Sequence, residues 1–444
     1  LSVNHSFLEQ SSIENIALDI GEKLKNPVDV KKVVLSKINV NAKNYIPWSD
    51  VSLSTGYPGL ILMYSNLARI FPNQGWEEAI DQYLMALQET LRTKAVTDVS
   101  LFGGLTGIAY AVSFATKIEN RYIDYLDALD QILKRKVQYF LDNGKKFIKD
   151  KRPQGTMTAW FDVMSGITGI GAYLLTKPNY FKSEIFDILS CLINLTNPIV
   201  VNGFRVPGWY IPVEYQFNDI YKKNYPKGNF NCGLAHGVSG ILAFFSLCLK
   251  KGIEVEGQRD AMHYIAEWLI SKRIKSNLGL AWPSIISFEQ ETEKLENKHA
   301  ILRNAWCYGL PGIAYSFYLA GEALGCKRLL QESVVSYRSL VNQYKDNPLN
   351  TSGFCHGLAG NMHMLQRMMK KETEELAEFE NVVNDFKSIL ISKYDEQLPF
   401  GFLDEAEGML HKPGLLEGSA GICLSILSLV SDIELEWDRM FLLN

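Results

Sequence analysis

A four-residue turn, Gly-x-x-Gly followed by an apolar stretch, occurs seven times in this 444-residue chain. The copies are Gly56-Tyr57-Pro58-Gly59, Gly104-Leu105-Thr106-Gly107, Gly166-Ile167-Thr168-Gly169, Gly237-Val238-Ser239-Gly240, Gly309-Leu310-Pro311-Gly312, Gly357-Leu358-Ala359-Gly360 and Gly418-Ser419-Ala420-Gly421. Their first glycines are 48, 62, 71, 72, 48 and 61 residues apart, and the turns hold 14 of the 33 glycines. One such turn says nothing. Seven in similar context mark an internal repeat, and a repeated unit constrains the fold before any single residue does. Stretches 60–67, 108–115, 241–249, 313–320 and 422–430, which follow five of the turns, are apolar almost all round. A helix with no polar face must be buried on every side. Between turns, Ile80, Leu84, Leu87 and Leu91 recur at helical spacing among Glu77, Asp81, Gln82 and Glu89, the pattern of a helix with one wet face. Each repeat thus supplies one buried and one half-buried helix. The expectation is an all-α protein: a single α/α toroid domain over 1–444, with seven inner helices ringed by seven outer ones. An α-solenoid is the alternative, but its helices rarely lack a polar face so consistently. In a toroid the seven turns converge on one mouth.

Composition narrows the class. With 47% apolar and 21% charged residues the chain is ordinarily globular. Forty-five basic against 49 acidic residues give a net charge of −4, so nothing calls for nucleic acid. The run 241–249 ends at Lys250 and Lys251, far short of the roughly 20 residues a bilayer span needs. The first residues carry no basic cluster before an apolar core, and seven cysteines do not form a disulfide framework; both predict a reducing cytoplasm.

Two intervals are long. The first holds an aromatic stretch at about 197–232, punctuated by Pro207-Gly208 and Pro226, which predicts a small extended or β-type insertion. Its Trp209, Tyr210 and Tyr215 are either an exposed peptide-handling surface or a packed cap. The second, about 277–304, contains the charged run 289–298, expected to be a solvated segment.

Unusual residues sit directly before three turns. Trp306-Cys307-Tyr308 leads into Gly309, Phe354-Cys355-His356 into Gly357, and Asn231-Cys232-Gly233-Leu234-Ala235-His236 into Gly237. Convergence of the turns brings Cys307, Cys355 and His356 together. Two thiolates and one imidazole leave one tetrahedral position open, the pattern of a catalytic rather than structural zinc; any one buried cysteine taken alone is a small apolar filler. A site already rich in thiolate suits activation of an incoming thiol better than hydrolysis. His236 stands where His356 does but follows Ala235 instead of a cysteine, so it is either a ligand or a group that titrates near neutrality. Asp162, four residues before Gly166, is either a helix cap or part of the site. Arg303, one turn before Cys307, either meets negative charge in the mouth or forms a surface ion pair. Cys232 is read as filler, and no role falls to Cys191, Cys248, Cys326, Cys423, His263, His299, His363 or His411.

Gly233-Leu234-Ala235-His236-Gly237, Arg303-Asn304-Ala305-Trp306-Cys307-Tyr308-Gly309 and Cys355-His356-Gly357, with Asp162-Val163-Met164-Ser165-Gly166, together resemble the LanC-type lanthipeptide cyclases (lanthionine synthetases), most closely the nisin/subtilin cyclase type. The likeness runs from Leu53 to Gly418; Asn304 stands where the related pattern often has Asp. The resemblance implies an α/α toroid with a small SH2-like, β-containing extension, which falls in the 197–232 insertion. It implies one Zn2+ per chain on Cys307, Cys355 and His356, His236 as the catalytic imidazole with Asp162 near it, and Arg303 and Tyr308 as pocket residues. The implied reaction adds Cys thiolates of a dehydrated lantibiotic precursor peptide to dehydroalanine or dehydrobutyrine, closing lanthionine and methyllanthionine rings. Implied partners are a lantibiotic dehydratase and a peptide exporter in a membrane-associated complex. Two rival readings are a LanC-like glutathione-binding or scaffold protein without turnover and a zinc-dependent peptide-thiol prenyltransferase. The second lacks a Lys/Arg cluster for a diphosphate beside the mouth.

Overall fold

The computed structural model describes residues 2–40, 45–151, 155–293, 303–346, 349–371, 377–406 and 408–444. All seven turns open α-helices: Tyr57–Ile70, Leu105–Ala115, Ile167–Leu174, Val238–Lys250, Leu310–Leu324, Leu358–Met369 and Ser419–Val430, with the first glycine at each N-cap. No side chain caps these helices. The chain before each turn instead loops back across the first helical turn, so closely that a side chain is excluded. A Cβ on Gly421 would stand 1.9 Å from the carbonyl oxygen of Leu415, and one on Gly360 1.8 Å from that of Phe354. The offset of six residues is the same in both. That backbone approach, rather than conformational freedom, is why the second glycine of the turn recurs.

The helices that follow are buried as their composition requires. In Tyr57–Ile70 every residue from Tyr57 to Ala68 is buried. The helices between them, such as Trp76–Thr93, bury one face (Trp76, Ile80, Tyr83, Leu84, Leu87) and wet the other. Leu358–Met369 departs from the apolar pattern, because Asn361, His363 and Arg367 are buried in it. The reason is a carboxylate on the C-terminal segment. Asp438, fully buried, accepts from His363 Nε2 at 2.7 Å and from Arg367 Nε and Nη2 at 2.6 and 2.7 Å.

Contacts divide the chain into two compact units, Leu1–Gln131 with Pro348–Asp438 and Ile132–Asn347 with Arg439–Asn444. Within each, neighbouring turns are sewn edge to edge by main-chain hydrogen bonds. In the first unit, Phe354 and Cys355 N–H donate to Leu416 O (2.9 and 2.8 Å), Leu415 N–H to Ser54 O (2.7 Å), and Leu53 N–H to Phe102 O (3.0 Å). In the second, Val163 N–H donates to Ala235 O (3.0 Å) and Ala235 N–H to Cys307 O (3.2 Å). Residues far apart in sequence thus become neighbours.

The insertion has the expected β content: antiparallel strands Ile199–Val201 and Phe204–Val206, and strand Asn229–Asn231 paired with Ile285–Ser287 from the second long interval. Two of its three candidate peptide-handling aromatics are not exposed. Trp209 packs edge-on against Trp268 (5.3 Å between centroids), and Tyr210 lies against Phe230 and Phe288 while its hydroxyl donates to Lys227 O. They are a packed cap, held by ring packing and by the satisfied hydroxyl of Tyr210. The charged run is also more than a solvated segment. Glu291 accepts from Trp268 Nε1 at 3.2 Å and pairs with Lys272 at 2.5 Å, while 294–298 lie outside the described residues. Among the described residues no helix is long and apolar enough to cross a membrane.

Two outcomes follow from this packing. Gly421→Ala is expected to lower stability by about 3 kcal/mol, measured by denaturant unfolding; an unchanged midpoint would mean the loop can move away. The buried network adds an acid sensitivity. Burial holds the His363 imidazole below its ordinary value of 6.5 against the pull of Asp438. Burial also raises Asp438, but Arg367 and His363 outweigh it and hold the carboxyl low. An unfolded histidine takes up a proton below pH 6.5 that the folded one resists, so stability falls from there down. The Asp438 contribution is lost at lower pH, as its folded carboxyl protonates. His363→Gln should remove the upper part of this acid limb, read as the melting temperature against pH.

Candidate functional site

In the second unit the site is built on the turn before Val238–Lys250. His236, the residue before the N-cap glycine, has its side chain 26% exposed, and its Nδ1 lies 2.6 Å from Oδ2 of Asp162, whose side chain is 1% exposed. Asp162 is not a helix cap in the strict sense, but it closes the turn ahead of a helix and also touches His236. Its Oδ1 accepts from Ser165 N–H (2.7 Å) and Gly166 N–H (2.8 Å), closing the turn before Ile167–Leu174. The second oxygen is left for the imidazole. A buried carboxylate tied down by two main-chain donors fixes the ring, and accepting the Nδ1 proton leaves Nε2 for proton exchange.

Tyr308 joins this group, its ring 5.9 Å from that of His236 and its hydroxyl accepting from Asn231 Nδ2 at 3.1 Å. Burial raises its phenol far above its ordinary value, against the opposing hydrogen bond from Asn231, so Tyr308 stays neutral. Asn231 in turn accepts from Gly233 N–H at 3.0 Å. Cys307 is buried beside Tyr308, its carbonyl holding Ala235. The reversal after it is sharp: Gly309 has φ +88°, and a Cβ there would sit 1.5 Å from Arg303 O, a conformation open to glycine alone. Arg303 itself is exposed. Asn304 donates from Nδ2 to Gln343 at 3.1 Å.

The first unit carries a different set at the equivalent place. Cys355 is buried, its Sγ 3.6 Å from Nε2 of His356. Nδ1 of His356 pairs at 2.5 Å with Glu417, the residue before the N-cap glycine of Ser419–Val430. A carboxylate on one imidazole nitrogen orients the ring and raises the basicity of the other, the usual outer-shell arrangement of a metal-binding histidine. Thiol and imidazole donors suit borderline-soft Zn2+.

Glu417, Asn231 and Phe217, whose ring lies 5.1 Å from that of His236, were not singled out from sequence. Glu417 had a signal, since it precedes its glycine as His236, Tyr308 and His356 precede theirs. Asn231 and Phe217 had none beyond their neighbourhood. Cys232, Cys248 and Cys423 are buried, with thiols pushed up by burial, as filler cysteines are.

The two roles of Asp162 separate by substitution. Asp162→Ala, which removes both acceptors, should cost about 2 kcal/mol of stability, whereas Asp162→Asn keeps a carbonyl for the turn and should cost less than about 1 kcal/mol. The amide nitrogen of Asn then faces Nδ1 and should move the His236 proton to Nε2, visible in the imidazole 15N shifts. An unchanged tautomer in Asp162→Asn would break the assignment.

The family described as lanthionine synthetase C-like protein matches residues 47–442. Nisin biosynthesis protein NisC of Lactococcus lactis subsp. lactis is 24% identical over 390 residues, covering 86% of this chain and 90% of that protein. The solved structure of nisin cyclase superposes with a TM-score of 0.74 at 24% identity, over 89% of this chain and 92% of that one. The fold class is accordingly the α/α toroid.

Proposed function

Because the chain belongs to the lanthionine synthetase C-like family, we propose that it is a zinc-dependent cyclase acting on a dehydrated lantibiotic precursor peptide. It closes lanthionine and methyllanthionine rings by adding Cys thiols to dehydroalanine and dehydrobutyrine. The observation that carries this reading is the different company of two histidines at the same turn position. His356 follows a cysteine and is held by Glu417; His236 follows an alanine and is held by buried Asp162. One is equipped as a metal ligand and the other as an acid–base group. The relatives named for nisin biosynthesis and nisin cyclisation support the same reaction.

Cys307, Cys355 and His356 would hold one zinc per chain, leaving a fourth position to the substrate. Held by these three residues, zinc would supply the acidity that makes a substrate thiol a thiolate. His236 takes up the proton that the thiol gives away, with Asp162 stabilising the resulting imidazolium. Attack forms the S–Cβ bond and leaves an enolate; His236 Nε2 returns the proton to Cα, and the addition balances with nothing lost. Arg303, exposed one turn before Cys307, is suited to the enolate oxygen. Tyr308, neutral and tied to Asn231, walls the imidazole. The working unit would be one toroidal domain over 1–444 bearing the 197–232 extension. It would act in the cytoplasm with a dehydratase and an exporter at the membrane.

Zinc content and ring closure test the assignment together. Cys307→Ala, Cys355→Ala and His356→Ala should lose zinc, and Glu417→Gln should weaken it about 10–100-fold. His236→Asn should keep zinc while ring closure, counted as free thiols lost from a dehydrated precursor, falls about 10²–10⁴-fold. Thiol binding without ring closure by the unaltered protein would favour the non-catalytic glutathione-binding or scaffold reading.

A further inference from the structure

Three of the eight large aromatics of the insertion are used up in packing. Trp209, Tyr210 and Phe230 are buried against one another's neighbours. Phe217 instead touches the site. It lies between the short helices Val213–Tyr215 and Asp219–Asn224, is 48% exposed, and meets the His236 ring edge-on with centroids 5.1 Å apart. Tyr221 continues the surface, its ring 5.6 Å from Phe217, and Ile220 beside it is 68% exposed. Water contact with a half-exposed phenylalanine and an isoleucine is unfavourable, and Phe217 borders the imidazole that Asp162 holds.

We propose that Phe217, continued by Tyr221, is a shelf that receives a large apolar side chain of the substrate peptide, from the residue next to the dehydro residue that accepts the thiol. The assignment rests on the cyclase reading, which makes His236 the proton donor to Cα of that dehydro residue. Adjacent Cα atoms of a peptide are about 3.8 Å apart. With Cα at Nε2 of His236, its chain neighbour is therefore within reach of a ring centred 5.1 Å from the imidazole. Among the described residues, the ring contacts of Phe217 are His236 and Tyr221. Such a surface favours a leucine or aromatic side chain over glycine or a charge. Phe217 is then a specificity-determining residue, continuous with the site rather than part of the cap.

The test uses the zinc-loaded full chain and two dehydrated peptides that differ only in having leucine or glycine beside the dehydroalanine. The unaltered protein should show a KM about 5-fold lower for the leucine peptide. Phe217→Ala should bring the two KM values together with zinc content retained, and Phe217→Trp should keep the preference. An equal change for both peptides, a loss confined to kcat, or no preference in the unaltered protein would overturn the shelf. If the unaltered protein closes neither ring, the cyclase reading falls and takes the shelf with it. If it closes both through His236 but without preference, the shelf alone falls.

Discussion

The contact on which the rest depends is between the second glycine of the turn, at six of the seven turns, and the carbonyl oxygen six residues before it. At Gly421 and Gly360 a single added carbon would come within 2 Å of that oxygen. The contact folds the preceding loop flat over the helix start, and the loop edge then becomes available to the next turn. The main-chain bonds from Val163 to Ala235 and from Ala235 to Cys307, and those from Cys355 to Leu416 and Leu415 to Ser54, are made on that edge. Bonds between main chains ask nothing of the side chains. The residue just before each N-cap glycine is therefore left to vary, and that is where His236, Tyr308, His356 and Glu417 stand.

Carboxylates finish what the glycines begin. Asp162 spends one oxygen on the turn and one on His236, so the same residue stabilises the loop and orients the imidazole. Glu417 orients His356 from the neighbouring turn. Asp438 does comparable work away from the site, accepting from His363 Nε2 and Arg367 inside a helix that would otherwise be too polar to bury. Each case sets a buried or half-buried carboxylate against a histidine or arginine at ion-pair distance, the condition under which such groups are tolerated inside a protein.

The insertion divides its aromatics by the same logic. Tyr210 has a polar tip that finds a main-chain carbonyl, and it is buried along with Trp209. Phe217 remains partly in water, in contact with His236. A stretch that reads as uniformly aromatic in sequence thus divides into a packed cap and a half-exposed ring in contact with His236.

The sequence alone determined the repeat, the alternation of buried and half-buried helices, and the positions just ahead of the turns where chemistry would sit. These were legible because periodicity and glycine spacing are local properties that survive without neighbours. Cys307, Cys355, His356 and His236 were legible because they stand at one repeated landmark. What only the tertiary structure decided is which groups touch. Asp162 closes its own turn and also meets His236, Glu417 pairs with His356, Trp209 and Tyr210 turned inward, and Phe217 turned to His236. The contacts of His236 with Phe217 and with Asp162 span 19 and 74 positions, and no local pattern encodes a distance between residues that only packing brings together.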